Sequence, residues 1–76
     1  MDIEVVFGSV LQQVRKSKKM SQEQLALQAN LDRTYISMLE RGARKPTINT
    51  LFKLSMVLDV KPSQLIEYVE EIVFKN

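Results

Sequence analysis

The side chains that most often carry catalysis and bind transition metals are missing from this chain. It has no cysteine and no histidine, so a thiol nucleophile, an imidazole base and the usual zinc ligand sets are excluded. Glu70 and Glu71 do not replace them, because neighbours on a helix point about 100° apart and nothing else reactive accompanies them. No enzymatic activity, metal or cofactor is expected. What remains is binding chemistry carried by charge. The segment from Arg15 to Lys45 holds eight basic residues (Arg15, Lys16, Lys18, Lys19, Arg33, Arg41, Arg44, Lys45) against three acidic ones. Residues 61 to 76 set Lys61 and Lys75 against Glu67, Glu70 and Glu71. The net charge of +2 thus divides into a basic part and a slightly acidic carboxyl end, a division that implies two different partners.

The elements that position these charges follow from hydrophobic spacing. Phe7, Val10, Leu11 and Val14 recur at i, i+3, i+4, i+7, with Ile3 extending the stripe backwards, and predict a helix over about 4–18. Ser21 and Gln24 have the S-x-x-Q form of a capping box, so a second helix starts there and runs to Ala29, where Asn30 tolerates the left-handed conformation of a helix end. Asp32 is expected to cap a third helix over about 33–41, stopped by Gly42 and by Lys45-Pro46. Thr47 caps a fourth, with Ile48, Leu51, Leu54 and Leu58 turned inward. Pro62 opens a fifth over about 62–74 with an apolar stripe at Leu65, Ile66, Val69, Ile72 and Val73. At 76 residues the chain makes a single all-α domain of five short helices, too small for two cores. Its longest apolar run is far short of the roughly 20 residues of a membrane helix, and no signal-peptide core is present, so a soluble cytoplasmic protein without membrane contact is expected.

Residues 22–41 pack two short helices around a turn of a few residues. Leu25 and Ala29 face inward from the first, Ile36 and Leu39 from the second, and Leu31 fills the corner. Ala26 lies where the helices cross closely, so only a small side chain fits. The segments Met20-Ser-Gln-Glu-Gln-Leu-Ala26, Asn30-Leu-Asp-Arg-Thr-Tyr-Ile-Ser37 and Leu39-Glu-Arg-Gly42 resemble the phage-repressor and Cro-like (Xre) helix-turn-helix family. The resemblance covers roughly residues 7–66, from Phe7-Gly8 to Leu51, Leu54, Leu58, Val60, Pro62 and Leu65. The stretch from Leu31 to Ser37 is especially similar to controller proteins of restriction-modification systems. Asn30 stands where the family usually has glycine, and Lys61 where a serine or threonine cap would be usual.

The resemblance implies a lambda-repressor-like fold whose second and third helices form the motif, and a sequence-specific regulator of transcription whose partner is double-stranded DNA. It places Arg33, Thr34, Ser37 and Met38 at base-contacting positions. A guanidinium donates two parallel bonds to guanine O6 and N7, which makes Arg33 the strongest candidate, while Met38 can meet a thymine methyl. Ser21, Gln22, Tyr35, Arg41, Arg44, Lys45, Thr47 and Asn49 fall at positions that touch the DNA backbone, adding affinity and salt dependence. Arg15 and Glu40 match a structural salt bridge between the first and third helices. The basic run Arg15 to Lys19 reads instead as a solvated helix end, favourable to the helix dipole.

A four-helix core does not need the whole apolar stripe of the fifth helix. Ile66, Val69, Ile72 and Val73, joined by Phe52 and Met56, are expected to form the contact of a two-fold homodimer. Such a dimer would carry two third helices about 34–36 Å apart, matching the half-sites of a near-palindromic operator. An antitoxin-like module that neutralises a second protein partner through the same stripe is the competing expectation.

Overall fold

A computed structural model describes residues 2–75 of the chain. Five helices follow one another: α1 (Ile3–Ser17), α2 (Gln22–Ala29), α3 (Arg33–Glu40), α4 (Ile48–Leu58) and α5 (Pro62–Val73). Among the described residues there is no strand. The all-α, five-helix fold is therefore as expected, and the ranges given above for the first, third and fifth helices lie within one residue of α1, α3 and α5.

The core is one cluster to which every helix contributes. Val6, Phe7, Val10 and Leu11 come from α1, Leu25, Ala26 and Ala29 from α2, Ile36 and Leu39 from α3, Leu51, Leu54 and Leu58 from α4, and Leu65 and Val69 from α5. α1 packs against α3 and α5, α2 against α3 and α4, and α4 against α5. Ala26, 3% exposed, is part of this core. Gly8 brings α1 onto the end of α3, where a Cβ would stand 2.7 Å from the Glu40 carbonyl oxygen and nearer still to that of Leu39.

Local chemistry sets the helix ends. The Ser21 hydroxyl accepts from the Gln24 N–H at 3.0 Å and the Gln24 side chain accepts from the Ser21 N–H at 2.8 Å, a complete capping box. Asn30 closes α2 in the left-handed region at φ 58° and Asp59 closes α4 at φ 57°. Thr47 caps α4 by accepting from the Thr50 N–H at 3.1 Å. Pro62 stands at the start of α5, where its missing N–H costs nothing, and Lys61 ahead of it makes no side-chain cap.

Four expectations need correction. Asp32 occupies the N-cap of α3 in extended conformation, yet its side chain makes no capping bond. Ile48, expected inward, is 70% exposed, because at 100° per residue it stands roughly 90° from the centre of the Leu51–Leu54–Leu58 face. Ile3 continues the α1 stripe geometrically but is 61% exposed, since the bundle ends about one turn short of it. Val69, assigned to a subunit contact, is only 6% exposed and completes the core of its own chain.

Candidate nucleic-acid interface

α3 presents two faces with different duties. At 100° per residue Arg33, Ser37, Arg41, Thr34 and Met38 span an arc of about 140°, while Ile36 and Leu39 point the other way. Ile36 and Leu39 are fully buried. Arg33, Thr34 and Arg41 are exposed and Ser37 and Met38 half-buried, so the outer arc has no part in filling the core. Arg41 lies along the end of the helix, its Nε donating to the Ser37 carbonyl at 3.3 Å.

The orientation of α3 is held by an ion pair behind it. Arg15 of α1 donates from Nε to Glu40 Oε2 at 2.6 Å and from Nη2 to Oε1 at 3.0 Å. Its Nη1 donates to the Met20 carbonyl in the α1–α2 turn at 2.8 Å. Both side chains are buried, Arg15 to 9% exposure and Glu40 to 2%. The hydrogen bond to Glu40 is the main cause that raises the Arg15 pKa above its ordinary value. Burial works against it and the charge of Glu40 adds to it. The structural role expected for this pair is what the geometry shows.

Gln22 enters the same network: its Nε2 donates to Glu40 Oε1 at 3.0 Å. The amino-terminal turn of α2 is thereby tied to the last turn of α3. An Nε2 group has two hydrogens, so the second is available to a phosphate beside the free N–H groups of the helix start. Nothing in spacing showed the first bond, which depends on how three helices pack.

The backbone-contact candidates beyond α3 lie on the loop to α4 and its first turn. Arg44, Lys45, Thr47 and Asn49 are exposed, as is Ser21. Tyr35 is half-buried, its hydroxyl 3.3 Å from the Thr50 hydroxyl, and the Arg44 guanidinium sits 5.5 Å from the centre of its ring. Tyr35 therefore joins α3 to both the loop and α4. Thr50, buried and polar, was not among the sequence candidates, since one polar residue in a helix carries no periodic signal.

The apolar candidates do not form one surface. Phe52 and Met56 are 51% and 77% exposed and continue the row begun by Ile48 at i, i+4, i+8 of α4. Ile66 and Ile48 line a groove of roughly 390 Å³ together with Ile3, Phe7, Pro46 and Leu51. Ile72, 40% exposed, borders a separate groove with Val10, Val14 and Tyr68. Val73 is half-buried against the core.

Residues 11–65 match the model of the helix-turn-helix family. The chain is 43% identical to the control protein C.BamHI of Bacillus amyloliquefaciens over 68 residues, which cover 88% of this chain and 84% of that protein. Its fold superposes on the restriction-modification controller protein C.AhdI from Aeromonas hydrophila with a TM-score of 0.80 and 40% identity, covering 82% of this chain and 94% of the other. It also superposes on the controller protein C.Esp1396I, in a structure of that protein's tetramer with its natural 35 base-pair operator, with a TM-score of 0.87 and 35% identity over 99% of both chains. The chain belongs to the Xre-type helix-turn-helix family of DNA-binding transcription regulators, and over most of its length it is similar to the control proteins of restriction-modification systems.

Proposed function

We propose that this chain is a controller-type regulator of transcription that works in the cytoplasm as a two-fold homodimer, each copy laying α3 in the major groove of one half of a near-palindromic operator. The observation that carries this reading is the division of α3: an outer arc of Arg33, Thr34, Ser37, Met38 and Arg41 over an inner face locked by Ile36, Leu39 and the Arg15–Glu40 pair. Arg33 and Thr34, at the amino-terminal end of the helix, meet base edges, as recognition helices do. Ser37 and Met38 read the next positions. Ser21, Gln22, Tyr35, Arg41, Arg44, Lys45, Thr47 and Asn49 hold phosphates on either side and fix the register.

The dimer is formed by the exposed row Ile48, Phe52 and Met56 of α4 with Ile66 of α5. Left uncovered, that row would be an apolar patch of the kind that marks an interaction site.

Selection of tight sites from random duplexes, followed by binding at several salt concentrations, tests the reading. Inverted half-sites whose centres lie about one DNA turn apart are expected. Arg33→Ala should weaken the selected site by about 1 to 3 kcal/mol and relax preference at one position per half-site, while Arg44→Ala should act on all sequences alike and lower the salt slope by about one. Absence of duplex binding at low salt, where electrostatic attraction is strongest, overturns the proposal.

A further inference from the structure

Thr50 is a polar side chain in a place where an apolar one would serve packing better. It is 7% exposed, in the first turn of α4, and its hydroxyl lies between two others. Thr47 Oγ1 is 3.1 Å away on one side and Tyr35 Oη 3.3 Å away on the other. The Thr47 oxygen already accepts from the Thr50 N–H, and its own hydrogen goes to Thr50 Oγ1. The Thr50 hydrogen then needs an acceptor, because a buried hydroxyl left without one is unfavourable. Tyr35 Oη is the acceptor within reach.

With that bond made, the three hydroxyls run in one direction, from Thr47 through Thr50 to Tyr35. The phenolic hydrogen at the end has no other acceptor among the described residues. A hydroxyl that accepts a bond becomes a better donor, since chains of hydrogen bonds polarise one another. The face of the same ring carries the Arg44 guanidinium. One tyrosine thus offers an O–H donor at its edge and a seated cation on its face, both of the kind that grips a phosphate oxygen.

We infer that Thr50 is a positioning residue for phosphate binding: it holds the Tyr35 hydroxyl as an outward donor, so that Tyr35 and Arg44 act as one clamp on the DNA backbone. The inference rests on the duplex-binding reading above. Thr50 itself does not touch the nucleic acid. Its effect passes through the phenol oxygen, whereas the seat of Arg44 depends on the ring.

That separation gives the test, made with the whole chain and its selected duplex. Thr50→Val and Tyr35→Phe should each weaken binding about fivefold to tenfold at an unchanged salt slope, because the ring and Arg44 stay in place. The double variant should bind like Tyr35→Phe alone, since both changes remove the same bond. Thr50→Ser should restore wild-type affinity. Tyr35→Ala should lose the O–H and also lower the salt slope, by up to about one, as Arg44 loses its seat. Thr50→Val binding like wild type, or adding its full loss to that of Tyr35→Phe, overturns the inference. If the wild-type chain binds no duplex even at low salt, the duplex-binding reading falls instead. Thermal melts of each variant identify a Thr50→Val loss that tracks stability alone, with Thr50→Ser giving no rescue of binding, and that outcome also overturns the inference.

Discussion

The Arg15 guanidinium donates to two oxygens of Glu40 and to the Met20 carbonyl, and Gln22 shares one of those oxygens. Removing one partner of a buried pair leaves the other charge unpaired, which costs about 3 to 5 kcal/mol. Glu40→Ala should therefore shift the urea midpoint far below that of the wild type, since small domains are stable by only about 5 to 15 kcal/mol. Arg15→Met with Glu40→Leu, which leaves no orphaned charge, should recover most of that loss. The pH dependence has a defined sign. A folded-state pKa raised above the ordinary value, as at Arg15, gives stability that is present below the ordinary value and lost only as pH rises through the raised one. For a guanidinium that window lies in strong alkali, so the contribution of Arg15 should stay level in melts between about pH 6 and 10. At this scale the sequence was informative where family pattern and side-chain chemistry agree, as at Arg15 and Glu40. It was silent on Thr50 and on the Gln22–Glu40 bond, because both depend on which helix lies opposite.

Helices were legible because their signals are local. Ser21 and Gln24 close the capping box within three residues of each other, and Asn30 takes its left-handed conformation on its own account. Apolar spacing placed α1, α4 and α5, but spacing says only which residues share a face, not how far a neighbouring helix extends over it. That is why Ile3 and Ile48 continue apolar stripes and yet stand outside the core. Asp32 shows the complementary limit: the residue type and position suit a cap, and the side chain makes no such bond. The close crossing of α1 over α3 was equally hidden, because Gly8 lies within a helix pattern where glycine has no local reason to be. Gly8→Ala tests it. A methyl there meets the Leu39 and Glu40 backbone carbonyls, which cannot swing aside as a side chain would. In an exposed helix interior the same change would stabilise by roughly 0.5 to 1 kcal/mol. Here it should destabilise by about 1 to 3 kcal/mol, read as a lower urea midpoint at unchanged m-value.

At the scale of the whole molecule, the question is what covers the apolar row on α4. Apolar stripes read from sequence merged core and surface residues of α5. Val69 is core, and Ile66 and Ile72 lie at opposite edges of the buried strip, about 120° apart around the helix axis. A contact made through Ile66 and the row Ile48, Phe52 and Met56 therefore need not include Ile72. A stable interface takes about 800 Å² from each partner, a modest share of the 5179 Å² this chain exposes. Two-fold symmetry sharpens the test, because every substitution in an isologous contact occurs twice and a new charge faces its own copy or an apolar patch. Met56→Glu should convert the dimer to a folded monomer in sedimentation, while Ile72→Glu leaves it a dimer. Since a dimer ties two recognition helices to one operator, Met56→Glu should also weaken operator binding by at least about a hundredfold, approaching the affinity of one half-site. Its binding to random duplex should change far less, because the basic side chains of each copy proposed to meet phosphates are untouched. A dimeric Met56→Glu protein would move the contact elsewhere on the chain. A monomeric Ile72→Glu protein would place it on the α5 edge facing α1.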